Sequence, residues 1–339
     1  MSMKLNIKYV VLIMVLIAVV YTGVRSTVIT NAERTVRTML RDWQSDGIRV
    51  AYSGLKQGGF PYRIELSMEN FRLKDKAATY DIQADHITLI SHVWTPDHWM
   101  IHAENAQVKL LDGSIRFTDE TLMASLRQQE DGKWVLVIDS SDSADGSDFT
   151  LTHFPGLRQK FTAVNWVFST VLMPDDTTGS NLYEKNIADF RLQLAGGQIG
   201  DGTAPHERIL GLEVSGSLTG TGLQAWRNTD LRNWSGNGGL FDIRAFNLAV
   251  GSGKNTAALG ANGTLSLGDR GYPLGSMSVK VQDPTVLADI LKSGGLITHG
   301  DALNTLKTLP EKSDISLIIQ GGGLLMGDQL LARLPKVMR

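Results

Sequence analysis

A chain of 339 residues has room for a sizeable core, built either as two domains or as one large β-rich body. Its formal net charge of -2 excludes the basic footprint with which a protein offsets nucleic-acid phosphates, so nucleic acid is not an expected partner. With no cysteine there is no disulfide framework, thiolate nucleophile or cysteine-held metal, and 35 glycines suit frequent turns and close strand crossings better than long helices.

The first element is apolar. From Tyr9 to Val24 no charge occurs, and Lys8 and Arg25 bracket the run. As a helix it measures roughly 24 Å, against a hydrocarbon core of about 30 Å. Snorkelling by Lys8 and Arg25, with Tyr9 and Tyr21 at the two interfaces, closes the difference. The residues expected to meet lipid are Tyr9, Val10, Leu12, Ile13, Leu16, Ile17, Val20 and Tyr21. A cleaved signal peptide is the alternative, but Tyr21, Val24 and Arg25 crowd the place where small residues would be needed. Residues 1–26 are therefore expected to be an uncleaved membrane anchor. Charge counting does not orient it, since Lys4 and Lys8 precede the run while Arg25, Arg34, Arg37 and Arg41 follow. The long β-patterned chain beyond favours export, which gives a single-pass protein of the bacterial inner membrane with its bulk in the periplasm.

Val28, Ala32, Val36, Met39, Leu40 and Trp43 then recur at three and four residues, a helical stripe that ends near Ser45 with Asp46 and Gly47 as its stop. This helix is expected to dock on the body; lying on the membrane surface is the other option. After Gly47 the period drops to two. Ile48, Val50 and Tyr52 lead into the turn KQGGFP, and Tyr62, Ile64, Leu66 and Met68 then alternate with Arg63, Glu65, Ser67 and Glu69, which predicts a hairpin. Further strands are predicted over 80–89, 99–111, 114–117 and 134–138. SSDSADGSD (140–148) reads as a polar loop, 157–172 as a helix or a buried strand, and MPDDTTGSN (173–181) as the boundary between halves 27–175 and 176–339.

The second half predicts strands over 187–194, 209–219, 240–250, 257–267 and 274–281. A helix is expected from about Gly222, a second announced by Asp283 and Pro284, and a third from Asp301 to Leu309 before Pro310. Gly59, Phe60 and Pro61 are echoed by Gly271, Tyr272 and Pro273, each trio opening an alternating strand. Duplication and shared turn chemistry both account for the echo. The fold class is α+β and predominantly antiparallel β: an elongated curved sheet or sheets with a few covering helices, behind one N-terminal transmembrane helix.

The anchor, GGFPYRIEL, LQAWRNTDLRNWSGNGGLFDIRAFNLAVG, ANGTLSLGDRGYPLGSMSVKVQD and the closing GGGLLMGDQLLARLP, in that order, resemble the proteobacterial family known as domain of unknown function 2125. The resemblance covers most of the chain after the anchor and brings no reaction or catalytic residue with it. The glycine-punctuated antiparallel style also resembles, at the level of architecture, the AsmA-like envelope proteins. That likeness implies a role in envelope maintenance and lipid traffic.

Searching for chemistry gives little. His86, His92, His98 and His102 lie near Asp85, Asp97 and Glu104, but without the spacing of a zinc motif. The acids of 139–148 stand three apart where a calcium loop needs two, and GSGKNT (251–256) lacks the leading glycine of a phosphate loop. No catalytic residue, metal or cofactor is nominated, and an enzyme is not expected. The pattern predicts more alternating strand than the helices can cover, and an apolar face left in water is unfavourable. The expected activity is binding of a lipid or other apolar ligand in a β-sheet groove, with Phe60, Tyr62, Ile64, Leu66, Tyr272, Leu274, Met277, Val279 and Val281 as lining. The alternatives are a non-catalytic scaffold or assembly factor for envelope proteins and, third, a hydrolase using His98 or His102.

Overall fold

The computed structural model describes residues 7–75, 80–110, 113–117, 121–139, 149–152, 161–163, 166–172, 186–199, 207–220, 228–252, 255–293, 300–334 and 336, and in the first helix the side chains of residue 16 and of residues 20 onward. That helix, α1 (Ile7–Ser45), joins the apolar run and the docking stripe without a break.

After α1 the chain builds one up-and-down antiparallel meander. Its first rungs are β1 (Arg49–Gly58), β2 (Arg63–Lys74) and β3 (Tyr80–His92). Five rungs follow that are each broken in two: β4 (Thr95–Glu104) with β5 (Gln107–Leu110), β6 (Gly113–Phe117) with β7 (Thr121–Gln128), and β8 (Trp134–Asp139) with β9 (Phe149–Thr152). The last two of these are β10 (Phe161–Ala163) with β11 (Trp166–Leu172), and β12 (Asn186–Leu194) with β13 (Gly197–Ile199). Long strands resume with β14 (Glu207–Thr219), β15 (Leu240–Ser252), β16 (Asn255–Leu267), β17 (Pro273–Gln282) and β18 (Lys312–Gln320). The short β19 (Gly323–Met326) and β20 (Gln329–Arg333) finish the sheet. At its two ends β3 pairs with both β4 and β5, and β14 with both β12 and β13, which ties the broken rungs to unbroken neighbours. The sheet is open and curved. At about 4.8 Å per rung its contour is roughly 65–70 Å.

The register separates two faces. Leu66, Leu89, Ile101, Ala124, Ile138 and Phe168 stand opposite one another from rung to rung. The same row continues through Leu192, Val214, Phe246, Ala261, Val279 and Ile315. Directly paired residues point to the same side, so this is one unbroken apolar row across the sheet. The row one residue along each strand reads Ser67, Thr88, His102, Met123, Asp139, Val167, Gln193, Glu213, Asn247, Gly260, Lys280 and Asp314, and faces the other way.

The helices whose contacts define the cores lie on the apolar face. Ile29, Val36 and Leu40 of α1 pack on Ile64, Leu66 and Met68. Trp234 of α2 (Asn228–Gly236) packs with Ala188 and Leu218, its indole nitrogen donating to the Thr219 carbonyl at 2.7 Å. Leu287 of α3 (Pro284–Ser293) packs with Val250, Val279 and Val281, and α4 (Gly300–Thr308) closes on α3 through Leu303, Leu306 and Ala288.

The expected α1 stripe, the first hairpin and α3 stand where the periodicity puts them. The helix expected from Gly222 is seen from Asn228, with 221–227 outside the described residues. The described parts of 157–172 are strand, and the strand expected over 99–111 starts at Thr95 and breaks at Asn105. Asn105 takes a φ of 51°, a left-handed conformation that asparagine tolerates, and donates its amide to Asp85 at 2.8 Å. Strand β7 was not anticipated. Residues 140–148 and 173–181 lie outside the described residues; beside the latter, β11 and β12 pair from Trp166 with Leu194 to Leu172 with Ala188.

Candidate functional site

Among the described residues, helices cover the apolar face at its two ends and leave the stretch between them open. The core under α1 extends as far as Trp99 on β4, and the core under α3 begins at Ile209 and Leu212 on β14. From β7 to β11 no helix residue among the described residues joins the cores on it, and on β12 Trp234 of α2 reaches Ala188 near the start of the strand. Between β4 and β14 the gap is about 24 Å wide at the spacing of paired strands. The deepest burial in the row lies beneath the helices, with Leu66 0 % exposed and Val279 2 %; Leu89, Ile101, Phe246 and Ile315 at the covered ends are half-buried, as are Ala124, Ile138, Phe168, Leu192 and Val214 in the middle. Among the described residues, lateral neighbours pack the middle, and burial there is deep at Trp166 and Leu194, each 4 % exposed. Trp166 and Leu194 form a small cluster there, ringed by Leu122, Ile138, Phe168, Leu192 and Leu212, and Phe190 stacks on Phe241 with centroids 4.9 Å apart.

The opposite face carries a shallow trough of about 610 Å³, floored by Ala195, Gly211, Ala249, Ala258 and Gly260. Small residues make it hollow, and its rim of Gln193, Glu213 and Asn247 is polar. Arg191 pairs with Glu213 at 2.7 Å across this rim.

The nine residues expected as lining fall into four places. Ile64 and Leu66 lie beneath α1, fully buried, and Val279 and Val281 lie beneath α3, with Met277 packed beside them. Phe60 and Tyr62 project from the β1–β2 turn at 72 % and 63 % exposure, and Leu274 is exposed at the start of β17. Tyr272 is half-buried, close to Gly322 and with Lys336 5.4 Å from its ring centre. The open stretch of the apolar face is lined by other residues. Its signal was the same alternation, present in 187–194 and 209–219, whose strands the sequence reading placed without naming them as lining.

Among the described residues the histidines singled out in the sequence stand in separate local contacts. His98 meets Ser125 Oγ at 2.9 Å, His86 is paired across strands with Glu104, and His92 stacks on Trp94 at 5.6 Å. Among the described residues no three of His, Asp and Glu are grouped to hold a metal. Residues 251–252 end β15 and residues 255–256 open β16, with Ser252 opposite Asn255, so the segment leads into a strand where a phosphate loop leads into a helix. Asp81 is clasped by its neighbours: Arg72 holds it by Nε at 3.0 Å and Nη2 at 2.5 Å, and Gln83 adds a donor at 3.1 Å. The Arg72 hydrogen bonds lower its carboxyl below the usual range, which fits a structural clasp.

Comparison with known families shows a match to the model described as an uncharacterized protein conserved in bacteria, domain of unknown function 2125, over residues 28–335. The chain belongs to this family. The matched segment starts within α1 and runs through β20, so the whole meander is the family's domain. No curated protein and no solved structure matches the chain, and the likeness to AsmA-like proteins has no counterpart in these comparisons.

Proposed function

We propose that this member of the family is a membrane-tethered envelope protein whose meander holds an acyl chain or comparable apolar ligand on its open apolar face. The observation that carries the reading is the row from Ala124 to Val214, apolar on every rung and without a covering helix among the described residues. Apolar surface left in water is unfavourable by roughly 25 cal/mol per Å², so a hydrocarbon tail lying across these rungs gains what the helices supply at either end. The ligand needs no charged partner, which agrees with a row that is hydrocarbon and aromatic from Ala124 to Val214.

The tether is the run from Tyr9 to Val24. Among the described residues no helix is long and apolar enough to cross a membrane; the side chains of Tyr9, Val10, Leu12, Ile13 and Ile17 lie outside the described set. Leu16, Val20 and Val24 are 62 %, 58 % and 51 % exposed, so this part of α1 leaves its apolar side chains without a protein partner to bury them. That supports insertion in a bilayer, with the meander on the periplasmic side of the inner membrane.

The test is lipid extraction and native mass spectrometry of the full chain purified in mild detergent. The reading expects a reproducible phospholipid bound to the folded protein after detergent exchange. A consistently empty, folded protein that carries a stable protein partner instead would overturn it in favour of the scaffold.

A further inference from the structure

We infer that the tips of the β1–β2 and β3–β4 hairpins, carrying Phe60, Tyr62 and Trp94, form a collar that sits in the headgroup layer of a lipid bilayer. This rests on the reading of residues 9–24 as the tether. The β1–β2 turn clasps α1 where the apolar run ends: the Tyr21 hydroxyl donates to the Pro61 carbonyl, and Arg25 Nη2 donates to the Gly58 carbonyl at 2.8 Å. The Arg25 guanidinium also stands 5.4 Å from the centre of the Phe60 ring. At its other end α1 reaches the start of the same strand, where Gln44 Nε2 donates to the Val50 carbonyl at 3.2 Å. The helix therefore runs along β1 from tip to base, and the residues before Tyr21 continue beyond the tip.

The β3–β4 turn brings Trp94 to the same spot. Its ring centre is 6.3 Å from that of Tyr62, and His92 stacks on it. Phe60, Tyr62 and Trp94 are 72 %, 63 % and 62 % exposed, which leaves three large rings in one patch. A water-facing surface gains nothing from them. Tyrosine and tryptophan, with an apolar body and a polar edge, concentrate at membrane interfaces, and Arg25, Arg63 and His92 around them can meet lipid phosphates. Continuity with the tether selects the bilayer as occupant: when residues 9–24 cross it, the rings beside Tyr21 and Arg25 stand at headgroup depth. The collar fixes the tilt of the meander as well as its distance from the membrane.

The absence of native cysteine makes site-specific labelling clean. Single variants Leu16→Cys, Phe60→Cys, Trp94→Cys and Glu311→Cys carry an environment-sensitive fluorophore on the full chain in phospholipid vesicles, with quenchers fixed at shallow or deep positions on the lipid. The expected result is strong deep quenching at position 16, strong shallow quenching at 60 and 94, and neither at 311. Deep quenching at 16 with labels at 60 and 94 open to aqueous iodide overturns the collar and leaves the tether standing. Labels at 60 and 94 shielded from both lipid quenchers and iodide overturn it in favour of a protein cover. No quenching at 16 overturns the tether and the collar with it.

Discussion

Asp81 shows how a single side chain is committed to holding the sheet. Its carboxyl, 7 % exposed, takes two hydrogen bonds from Arg72 and one from Gln83, with Lys74 Nζ 3.9 Å away. The Arg72 bonds lower its pKa in the folded state, while the unfolded carboxyl titrates near 4. The unfolded chain then takes up the proton first, so the stabilisation is present above about pH 4 and is lost as the pH falls through the folded value. Asp81→Asn is expected to lower the melting temperature at pH 7 and to narrow the gap to wild type at pH 3. Thermal unfolding at both pH values checks it; an unchanged gap would mean that the clasp contributes nothing through charge. At this scale the sequence was readable only where backbone rules act locally. Asp283 and Pro284 announced α3, whereas Asn105 breaks a rung by a conformation its neighbours did not advertise.

Among elements, legibility depended on how different the two faces are. In β2 the apolar face is buried and the other is charged, so Ile64, Leu66 and Met68 stood out from Glu65, Ser67 and Glu69. In the middle rungs the second face is apolar too. Val135 and Val137 alternate with Leu136 and Ile138, and Val167 and Val171 with Phe168, so the period of two fades and 157–172 read equally well as helix. The docking of α1 gives the sharpest energetic expectation, because Leu66 is completely buried beneath it and Leu40 is 2 % exposed. Leu66→Ala is expected to destabilise by about 2–5 kcal/mol, the range for emptying a packed core site. Denaturant unfolding measures it. A loss well under that range would mean that α1 is a loose strap and not part of the core.

For the molecule as a whole, alternation predicted a surplus of apolar pleated surface, and its location depended on register, which no single strand reveals. The nine residues first read as lining went to the covered ends and the turns because their segments had the strongest alternation, and strong alternation marks faces that helices already bury. The open middle supplies its own control, since Leu192 and Gln193 are neighbours in β12 that face opposite sides. Leu192→Asp places a charge among Phe168, Val214 and Leu194, where a hydrocarbon ligand would have to strip its water. Gln193→Asp adds the same charge beside the polar rim. If the apolar face holds the ligand, Leu192→Asp loses the co-purifying lipid and Gln193→Asp keeps it, with both variants showing wild-type strand content by circular dichroism. Leu192→Ser stands in if the charged variant fails to fold. Equal lipid retention in the two variants would remove the apolar face as the site, and loss confined to Gln193→Asp would move the ligand to the trough of small residues on the opposite side.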